Sequence, residues 1–434
     1  MLFARALVGH GSTLRNSDIR VRSERRCASV DSMAATTRPP NGLTIRTAED
    51  SDWPAMSVIA ATCFGNWRPQ ESTDTWRTMV PDGGAVVACD GEDVVGTAFY
   101  LDLQLTVPGG AVLPMAGVSA VAVSPTHRRR GALTAIFTEL HGRMGDYPIA
   151  GLEASEAGIY GRFGYGPSTL WCELTVDRRE ARFHDEVADP GGVRSVRPVE
   201  HRDQLERVYE RWRRQTPGGL HSPRRLWDEV FSDHEEFRHG GTALFCLLHA
   251  DGFVLYRVHG DREKKVEISK LAAVTPEAHI ALWRVLLGMD LYAQVKTLTH
   301  PHDVLPYLLT DPRLVRTTLI EDGLWLRLLD VPAALEARTY AADVSAVFDV
   351  SDGVLGGGGR YALDVRDSKA RCVSTDAPAD VQMDLSVLGS LYMGAHRASA
   401  FATANRLRCN DAGLPAQLDA AFAADVPAEL GFGF

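Results

Sequence analysis

Residues 119–133, SAVAVSPTHRRRGAL, are the most informative stretch of the sequence. An apolar, strand-like run ends at Pro125, and three arginines and Gly131 then lead directly into a helical pattern. A helix start presents unpaired N–H groups and the positive end of its dipole, and arginine side chains add charged hydrogen bonds. A solvated basic turn is the plainer interpretation, but the flanking strand and helix favour a site for the phosphates of a nucleotide or cofactor.

The flanking segments predict strands on both sides of this loop. Two β-rich runs, 85–89 and 94–100, are separated by Asp-Gly-Glu-Asp, which predicts a hairpin. Residues 149–154 form another short apolar run, and 156–163 predict a brief helix. Strands followed by a strand–helix–strand unit indicate an α/β or α+β fold.

A faint internal repeat predicts the same fold for the second third of the chain. Val196-Arg197, Glu200 and Asp203 repeat Ile45-Arg46, Glu49 and Asp52, each 151 residues further along. The Val-Ser-Pro of the loop recurs at the same offset as Val274-Thr275-Pro276. A single shared offset predicts a tandem duplication of one fold, although chance alignment is the alternative.

Composition and charge exclude several classes of protein. The 434 residues carry a net charge of −10, which gives no electrostatic reason to bind nucleic acid. No apolar run is long enough to predict a membrane span. The seven cysteines are scattered without a C-x-x-C pair, which argues against disulfides and a metal site and indicates a reducing cytoplasm, with export left open. Residues 1–42 are arginine-rich and predict a disordered basic extension.

The loop also carries a resemblance to a known family. Its R-x-x-G-x-G/A pattern, which departs from the family only at Leu133, resembles the acyl-CoA pyrophosphate signature of the GCN5-related N-acetyltransferases (GNAT). Further segments resemble the enhanced-intracellular-survival (Eis) acetyltransferases of mycobacteria. These segments are ASEAGIYGRFGYGP at 154–167, Pro217-Gly218-Gly219-Leu220, and residues 125–131, 308–311, 331–338 and 388–397.

The resemblance implies an α/β (α+β) chain of three domains. A catalytic GNAT domain would occupy 43–190, a second, degenerate GNAT-like domain 191–330, and a sterol-carrier-protein-like domain 331–434. The second copy lacks the arginine cluster and the glycine, so we expect it to bind no CoA. Members of the family form homohexamers.

The resemblance also assigns roles to individual residues. Tyr160 would be the proton donor, with Tyr165 as its competitor, and the terminal carboxylate of Phe434 would be the proton acceptor. The residues implied to bind acetyl-CoA are Val121, Ala122, Val123, Arg129, Arg130, Gly131, Ala132, Leu133, Thr134, Ser155 and Glu156. The residues implied to bind the amine are Trp53, Phe64, Asn66, Trp76 and Ser119. Aromatic core packing is the plainer reading of the tryptophans and tyrosines.

Two departures from the family concern charge. Asn66 and Gly433 stand where the family commonly has acidic residues. The predicted activity is acetyl-CoA-dependent N-acetylation of aminoglycoside-like polycations, at several positions and without a metal. The alternatives are a protein-lysine or polyamine acetyltransferase, or a lipid- or sterol-binding protein that uses the third domain.

Overall fold

The computed structural model describes residues 42–260 and 264–434, so the predicted extension lies almost entirely outside the described residues. The first part of the chain contains β1 (Leu43–Thr47), α1 (Trp53–Phe64), α2 (Gln70–Arg77), β2 (Ala85–Asp90), β3 (Asp93–Thr106), β4 (Val112–Val123), α3 (Ala132–His141), β5 (Ile149–Glu153), α4 (Ala157–Tyr160), β6 (Gly166–Pro167) and β7 (Leu170–Asp177). The hairpin, the loop helix and the brief helix predicted from the sequence are confirmed by β2–β3, α3 and α4.

The middle part repeats this order. It contains β8 (Arg194–Val196), α5 (Arg202–Gln215), α6 (Arg224–Ser232), β9 (Phe245–His249), β10 (Gly252–His259), β11 (Lys265–Ala273), α7 (Pro276–Leu287), β12 (Gln294–Thr299), α8 (Leu305–Leu308), β13 (Val315–Asp322) and β14 (Leu324–Leu328). The last part contains α9 (Val331–Ala337), β15 (Val344–Ser351), β16 (Gly359–Arg366), β17 (Lys369–Ser374), β18 (Val381–Asp384), α10 (Leu385–Tyr392), α11 (Ala398–Thr403), β19 (Leu407–Cys409) and α12 (Leu414–Phe422).

The described residues form three β-sheets, and the first two exchange strands. The first sheet has the order β1-β2-β3-β4-β5-β14-β6, and the second has β13-β7-β12-β11-β10-β9-β8. Strand β14 pairs with β5 in the first sheet, whereas β7 pairs with β12 and β13 in the second. The boundary expected at residue 190 therefore does not separate the sheets, and the domain ranges themselves stay a prediction.

The two sheets share one plan. In each, a run of antiparallel strands ends in a parallel pair, β4 with β5 and β11 with β12, and a helix connects the members of the pair. Strand–helix–strand connections between parallel neighbours are the βαβ unit that the loop motif predicted. This shared plan agrees with the predicted duplication.

The third sheet, with the order β17-β16-β15-β18-β19, corrects one helix prediction. The apolar pattern of residues 395–407 predicts a single helix. Instead, α11 ends at Thr403 and Leu407 begins β19, so this prediction is wrong. Asn405 adopts a left-handed conformation with φ of 58°, and the N–H of Arg406 donates back to the carbonyl of Phe401. This hydrogen bond closes the helix end and releases the chain into the sheet.

The apolar end Phe432-Gly433-Phe434 predicts a terminus that packs against the protein, because a disordered tail is usually polar. The chain end after α12 is docked, which confirms this prediction. The N–H groups of Glu429 and Gly431 donate to the carbonyls of Pro217 and Gly218, at 2.8 and 3.0 Å. The loop that contains Pro217 and Gly218 is also hydrogen-bonded to Thr106 at the end of β3. The tail is thus tied through the second part of the chain to the first sheet.

A buried ion pair strengthens this docking. Nζ of Lys270 lies 2.9 Å from Oε1 of Glu429, and the two side chains are 6% and 13% exposed. The ammonium also lies 3.8 Å from the ring centroid of Trp212, where the aromatic face stabilises a cation. Phe432, next along the tail, is 2% exposed. These contacts therefore fix the tail immediately before the last residue, Phe434.

Candidate active site

A cavity of about 240 Å³ opens in the first sheet where two parallel strands separate. The ladder between β4 and β5 ends at the pair Gly117 and Gly151, and the following residues of both strands line the cavity. Ligand sites in sheets of this kind lie beyond the carboxyl ends of neighbouring parallel strands. The separation therefore creates a crevice in which backbone groups of the two strands are accessible to a ligand.

A β-bulge shapes the β4 wall of this cavity. Thr97 pairs with Ala122 while Phe99 pairs with Ser119, so two residues of β4 face one residue of β3. Ala120 within the bulge has a φ of 50°, an uncommon conformation for a residue with a side chain. Bulges leave backbone groups outside the regular ladder. Ala120 and Val121 thus supply backbone groups at the wall.

Beyond β4, the arginine loop leads to the start of α3 as the sequence predicted. Arg128, Arg129, Arg130 and Gly131 are exposed, and Arg129 and Gly131 adopt left-handed conformations with φ of 63° and 84°. Gly131 precedes the helix, and its carbonyl accepts the N–H of Ala135 at 3.1 Å. Ala135 is therefore the first residue of α3 whose N–H has an intrahelical acceptor. The three N–H donors before it, in the first turn, have none.

These donors belong to Ala132, Leu133 and Thr134, three of the residues predicted to bind the pyrophosphate. Three unpaired N–H groups at a helix start, beside exposed guanidinium groups, have the donors and the positive charge that a phosphate anion requires. Arg130 lies 3.3 Å from Oδ2 of Asp90, which also contacts His127 at 3.1 Å. This exposed pairing keeps Arg130 beside the helix start.

Tyr160 and Tyr165, the two candidate acids, occupy different environments. Tyr160 lines the cavity, and burial raises the pKa of its phenol, an effect that a hydrogen bond with the Ser155 side chain opposes only in part. Tyr165 is fully buried, and its hydroxyl is hydrogen-bonded to Nε2 of His141 at 2.9 Å. Burial also lowers the pKa of His141 to about 4, so this pair is neutral at physiological pH. Only Tyr160 is placed to meet a ligand in the cavity.

The structure brings most of the remaining predicted residues together at this cavity. Those that line it are Trp53, Phe64, Asn66, Trp76, Ser119, Val121, Ser155 and Phe434. Ala122 and Val123 continue β4 beyond the bulge toward the arginine loop. Glu156 is exposed and is not among the residues that line the cavity, so its contact with CoA stays a prediction.

Two charged side chains in the cavity wall were not predicted. Of the described residues, Arg68 and Glu153 are the charged side chains in the lining. The guanidinium of Arg68 lies 5.5 Å from the ring centroid of Trp76. Glu153 is the last residue of β5, and its Oε2 accepts the N–H of Phe434 at 3.0 Å. An acidic residue that ends an otherwise apolar strand was the available signal for Glu153.

The second sheet lacks an equivalent loop. Only Val274 and Thr275 connect β11 to α7, whereas eight residues connect β4 to α3. The side chain of Thr275 accepts the N–H of Ala278 and so occupies a donor at the helix start. The corresponding position is therefore closed by an ordinary helix cap.

The described parts of the chain were also searched for metal and membrane features. Within residues 42–260 and 264–434, no group of three or more His, Cys, Asp or Glu side chains is placed to hold a metal ion. The helices formed by these residues are all too short or too polar to cross a membrane.

Comparison with known domain families identifies all three parts of the chain. Residues 44–168 and residues 218–328 match two acetyltransferase (GNAT) domain families, and residues 331–428 match a sterol carrier protein domain. These matches confirm the predicted fold class of two GNAT-type domains followed by a sterol-carrier-protein-like domain.

Whole-chain comparisons agree with the domain matches. The N-acetyltransferase Eis of Mycobacterium tuberculosis is 54% identical, over 90% of this chain and 100% of that protein. An uncharacterized N-acetyltransferase of Streptomyces avermitilis is 34% identical, over 90% of this chain and 99% of its own length. The crystal structure of Eis1 from Mycobacterium abscessus superposes with a TM-score of 0.80 at 28% identity, covering 90% of this chain and 100% of that one.

The arginine loop yields a first prediction. Replacing Arg130 by Ala and Gly131 by Asp should weaken acetyl-CoA binding by more than about tenfold, because one lost charged hydrogen bond costs about 1.5–3 kcal/mol and the aspartate repels a phosphate. Isothermal titration calorimetry measures the affinity. Arg130→Ala with Gly131→Asn is the matched control, since asparagine also tolerates a positive φ but is neutral. Equal affinity of the folded Asp variant and the unmodified protein would disprove the phosphate site.

The different environments of the tyrosines yield a second prediction. Tyr160→Phe should lower kcat by about 10²–10⁴-fold with little change in KM, the usual cost of losing an acid–base group. Tyr165→Phe is the control, because it leaves Nε2 of the buried His141 without its partner and should lower the melting temperature rather than kcat. A loss of kcat in Tyr165→Phe alone would reverse the assignment.

Proposed function

Because the chain belongs to the Eis family of N-acetyltransferases, we propose that it transfers the acetyl group of acetyl-CoA to amines of aminoglycoside-like polycations, at more than one position. The observation that carries the proposal is a cavity with an arginine-flanked helix start beyond one wall and with a tyrosine and the last residue of the chain in its lining. Acetyl-CoA is the cosubstrate of GNAT acetyltransferases. The amine enters from the opposite, aromatic side.

Each element of the cavity has a part in acetyl-CoA binding. The pyrophosphate lies on the first turn of α3, with Arg129 and Arg130 beside it. The pantetheine arm runs along residues 121–123 of β4, where the bulge leaves backbone groups to pair with its amides. The thioester then lies between the diverging strands, near Ser155 and Tyr160.

The chemistry requires one base and one acid. The terminal carboxylate of Phe434 takes a proton from the substrate ammonium, and the neutral nitrogen attacks the thioester carbonyl carbon. As the new C–N bond forms, the C–S bond breaks and the thiolate leaves with the proton of the Tyr160 hydroxyl. The nitrogen, positively charged after the attack, gives its second proton to the Tyr160 phenolate, and the protonated Phe434 carboxyl releases its proton to solvent. Burial favours this role, because the raised pKa of Tyr160 keeps the phenol protonated at neutral pH. An α-carboxylate is ionised above about pH 4, so it is available as a base.

The walls on the amine side fit a large cation. Trp53, Phe64 and Trp76 line this side, and Trp67 next to them is 68% exposed. Aromatic faces attract ammonium groups and stack on the apolar faces of sugar rings. The charged groups of the lining are one cation, Arg68, and two anions, Glu153 and the terminal carboxylate. The balance is negative even though Asn66 and Gly433 are uncharged.

The second GNAT-like domain acts as a scaffold in this proposal. Its closed helix cap at Thr275 supports the expectation that it binds no CoA, so each chain has one active site. The homohexamer that the resemblance implies and the cytoplasmic location that the cysteine pattern indicates are both part of the proposal. Strand β13, an edge strand with Ile320 57% exposed, is a surface available for such assembly.

The substrate class is tested by following the thiol released from acetyl-CoA. An aminoglycoside, a polyamine and a lysine-containing peptide are compared at equal concentration, and mass spectrometry counts the acetyl groups on each product. We expect the highest kcat/KM, and more than one acetyl group, for the aminoglycoside. Acetylation of the peptide alone would favour a protein-lysine acetyltransferase, and no thiol release with any amine would disprove the proposed activity.

The role of the terminal carboxylate is tested by extending the chain. Residues added after Phe434 convert its carboxylate into a neutral amide, so acetylation of the aminoglycoside should fall by about 10²-fold or more. A tag of the same length before Met1 is the control and should leave turnover unchanged. Full turnover of the extended form, with normal acetyl-CoA affinity, would mean that another group is the base.

A further inference from the structure

We propose that Glu153 is the positioning residue of the chain end, and that its charge adds to the amine subsite. The proposal rests on the proposed role of Phe434 as the base. Glu153 ends β5 inside the cavity, and its Oε2 accepts the N–H of Phe434 at 3.0 Å. This contact joins residues 281 positions apart. The last residue of the chain is therefore oriented by an acidic side chain of the catalytic domain.

The need for such a contact follows from the tail itself. Backbone hydrogen bonds hold the tail as far as Gly431, and the buried side chain of Phe432 holds the next residue. Gly433 follows, and glycine has the most flexible backbone of all residues. It directly precedes Phe434, whose carboxylate is the proposed base. The next hydrogen bond along the tail is the one to Glu153. Without it, rotation about Gly433 would move the carboxylate.

The ring of Phe434 is held independently of Glu153. A Cβ placed on Gly117 would lie 3.0 Å from Cε2 of this ring, so the ring packs against β4 where β4 and β5 separate. Phe434 can thus remain in the cavity when Glu153 is replaced. Removing the Glu153 carboxylate should change the orientation of the terminal group more than its location. The effect is expected in kcat, because a displacement near 1 Å can cost about 10²-fold in rate.

The charge of Glu153 has a separate effect. With 3.0 Å between Oε2 and the Phe434 nitrogen, standard backbone dimensions place the two carboxylates no more than about 7 Å apart. An ammonium group between them is attracted by both. Glu153 therefore provides negative charge in a cavity where Asn66 and Gly433 provide none, and neutralising it should raise KM for cationic amines.

Two substitutions separate these effects. Glu153→Gln keeps an oxygen that accepts the Phe434 N–H but removes the charge, whereas Glu153→Ala removes both. Glu153→Leu is a third variant, which also lacks an acceptor but fills the space that Glu153→Ala leaves empty. Glu92→Gln, in the exposed turn between β2 and β3, is the matched control for loss of one carboxylate in the same domain. Calorimetric acetyl-CoA affinity shows that each variant is folded with an intact phosphate site.

We expect Glu153→Ala and Glu153→Leu to lower kcat for an aminoglycoside by about 10–100-fold. Glu153→Gln should restore kcat to within about threefold of the unmodified protein while raising KM severalfold. Unchanged kcat in the Ala and Leu variants would overturn the positioning role. A Gln variant as slow as the Ala variant would also overturn it, because the carboxylate itself would then be needed for the chemistry.

The chain extended after Phe434 is assayed in parallel, because the extension keeps the N–H of Phe434 and removes only its carboxylate. If the extended chain is active, the proposed base is wrong, and the proposal for Glu153 fails with it. If the extended chain is inactive while Glu153→Ala is fully active, the base is correct and the positioning residue is wrong.

Discussion

The docking of the chain end on the loop Pro217-Gly218-Gly219-Leu220 is the constraint on which the candidate site depends. The loop is hydrogen-bonded to the end of β3 on one side and to the tail at Glu429 and Gly431 on the other. This close approach requires glycine, because Gly218 has a φ of 90° and a Cβ there would lie 2.6 Å from the carbonyl oxygen of Glu429. A third-domain segment thereby reaches a first-domain cavity by way of the second domain.

The cavity itself exists because regular pairing is interrupted at two points. The ladder between β4 and β5 stops at Gly117, and a bulge at Ala120 takes part of β4 out of register with β3. A fully paired sheet would have no free backbone groups and no space at this position. The strained conformation of Ala120 persists because the long pairing of β3 with β4 on both sides of the bulge holds it in place.

The sequence predicted the features that have a local signal and missed those that depend on distant contacts. The arginine loop before α3 and the apolar end at Phe432 followed from spacing and composition, and the resemblance supplied the choice of Tyr160. The contact between Glu153 and Phe434 joins residues with no local relation, so no periodicity could reveal it. The early end of α11 depended on Asn405, whose left-handed conformation is common for asparagine but not obligatory.

The exchange of β7 and β14 has a consequence for biosynthesis. Strand β5 is made early, but its neighbour β14 spans residues 324–328 and emerges from the ribosome only after almost the whole second domain. Until then the nascent first sheet presents an unpaired parallel-strand edge, the kind of edge on which chains aggregate. The first sheet is therefore complete only when β14 has been added. The exchange also makes loss of the second GNAT domain by gene deletion costly, because the first sheet would lose β14.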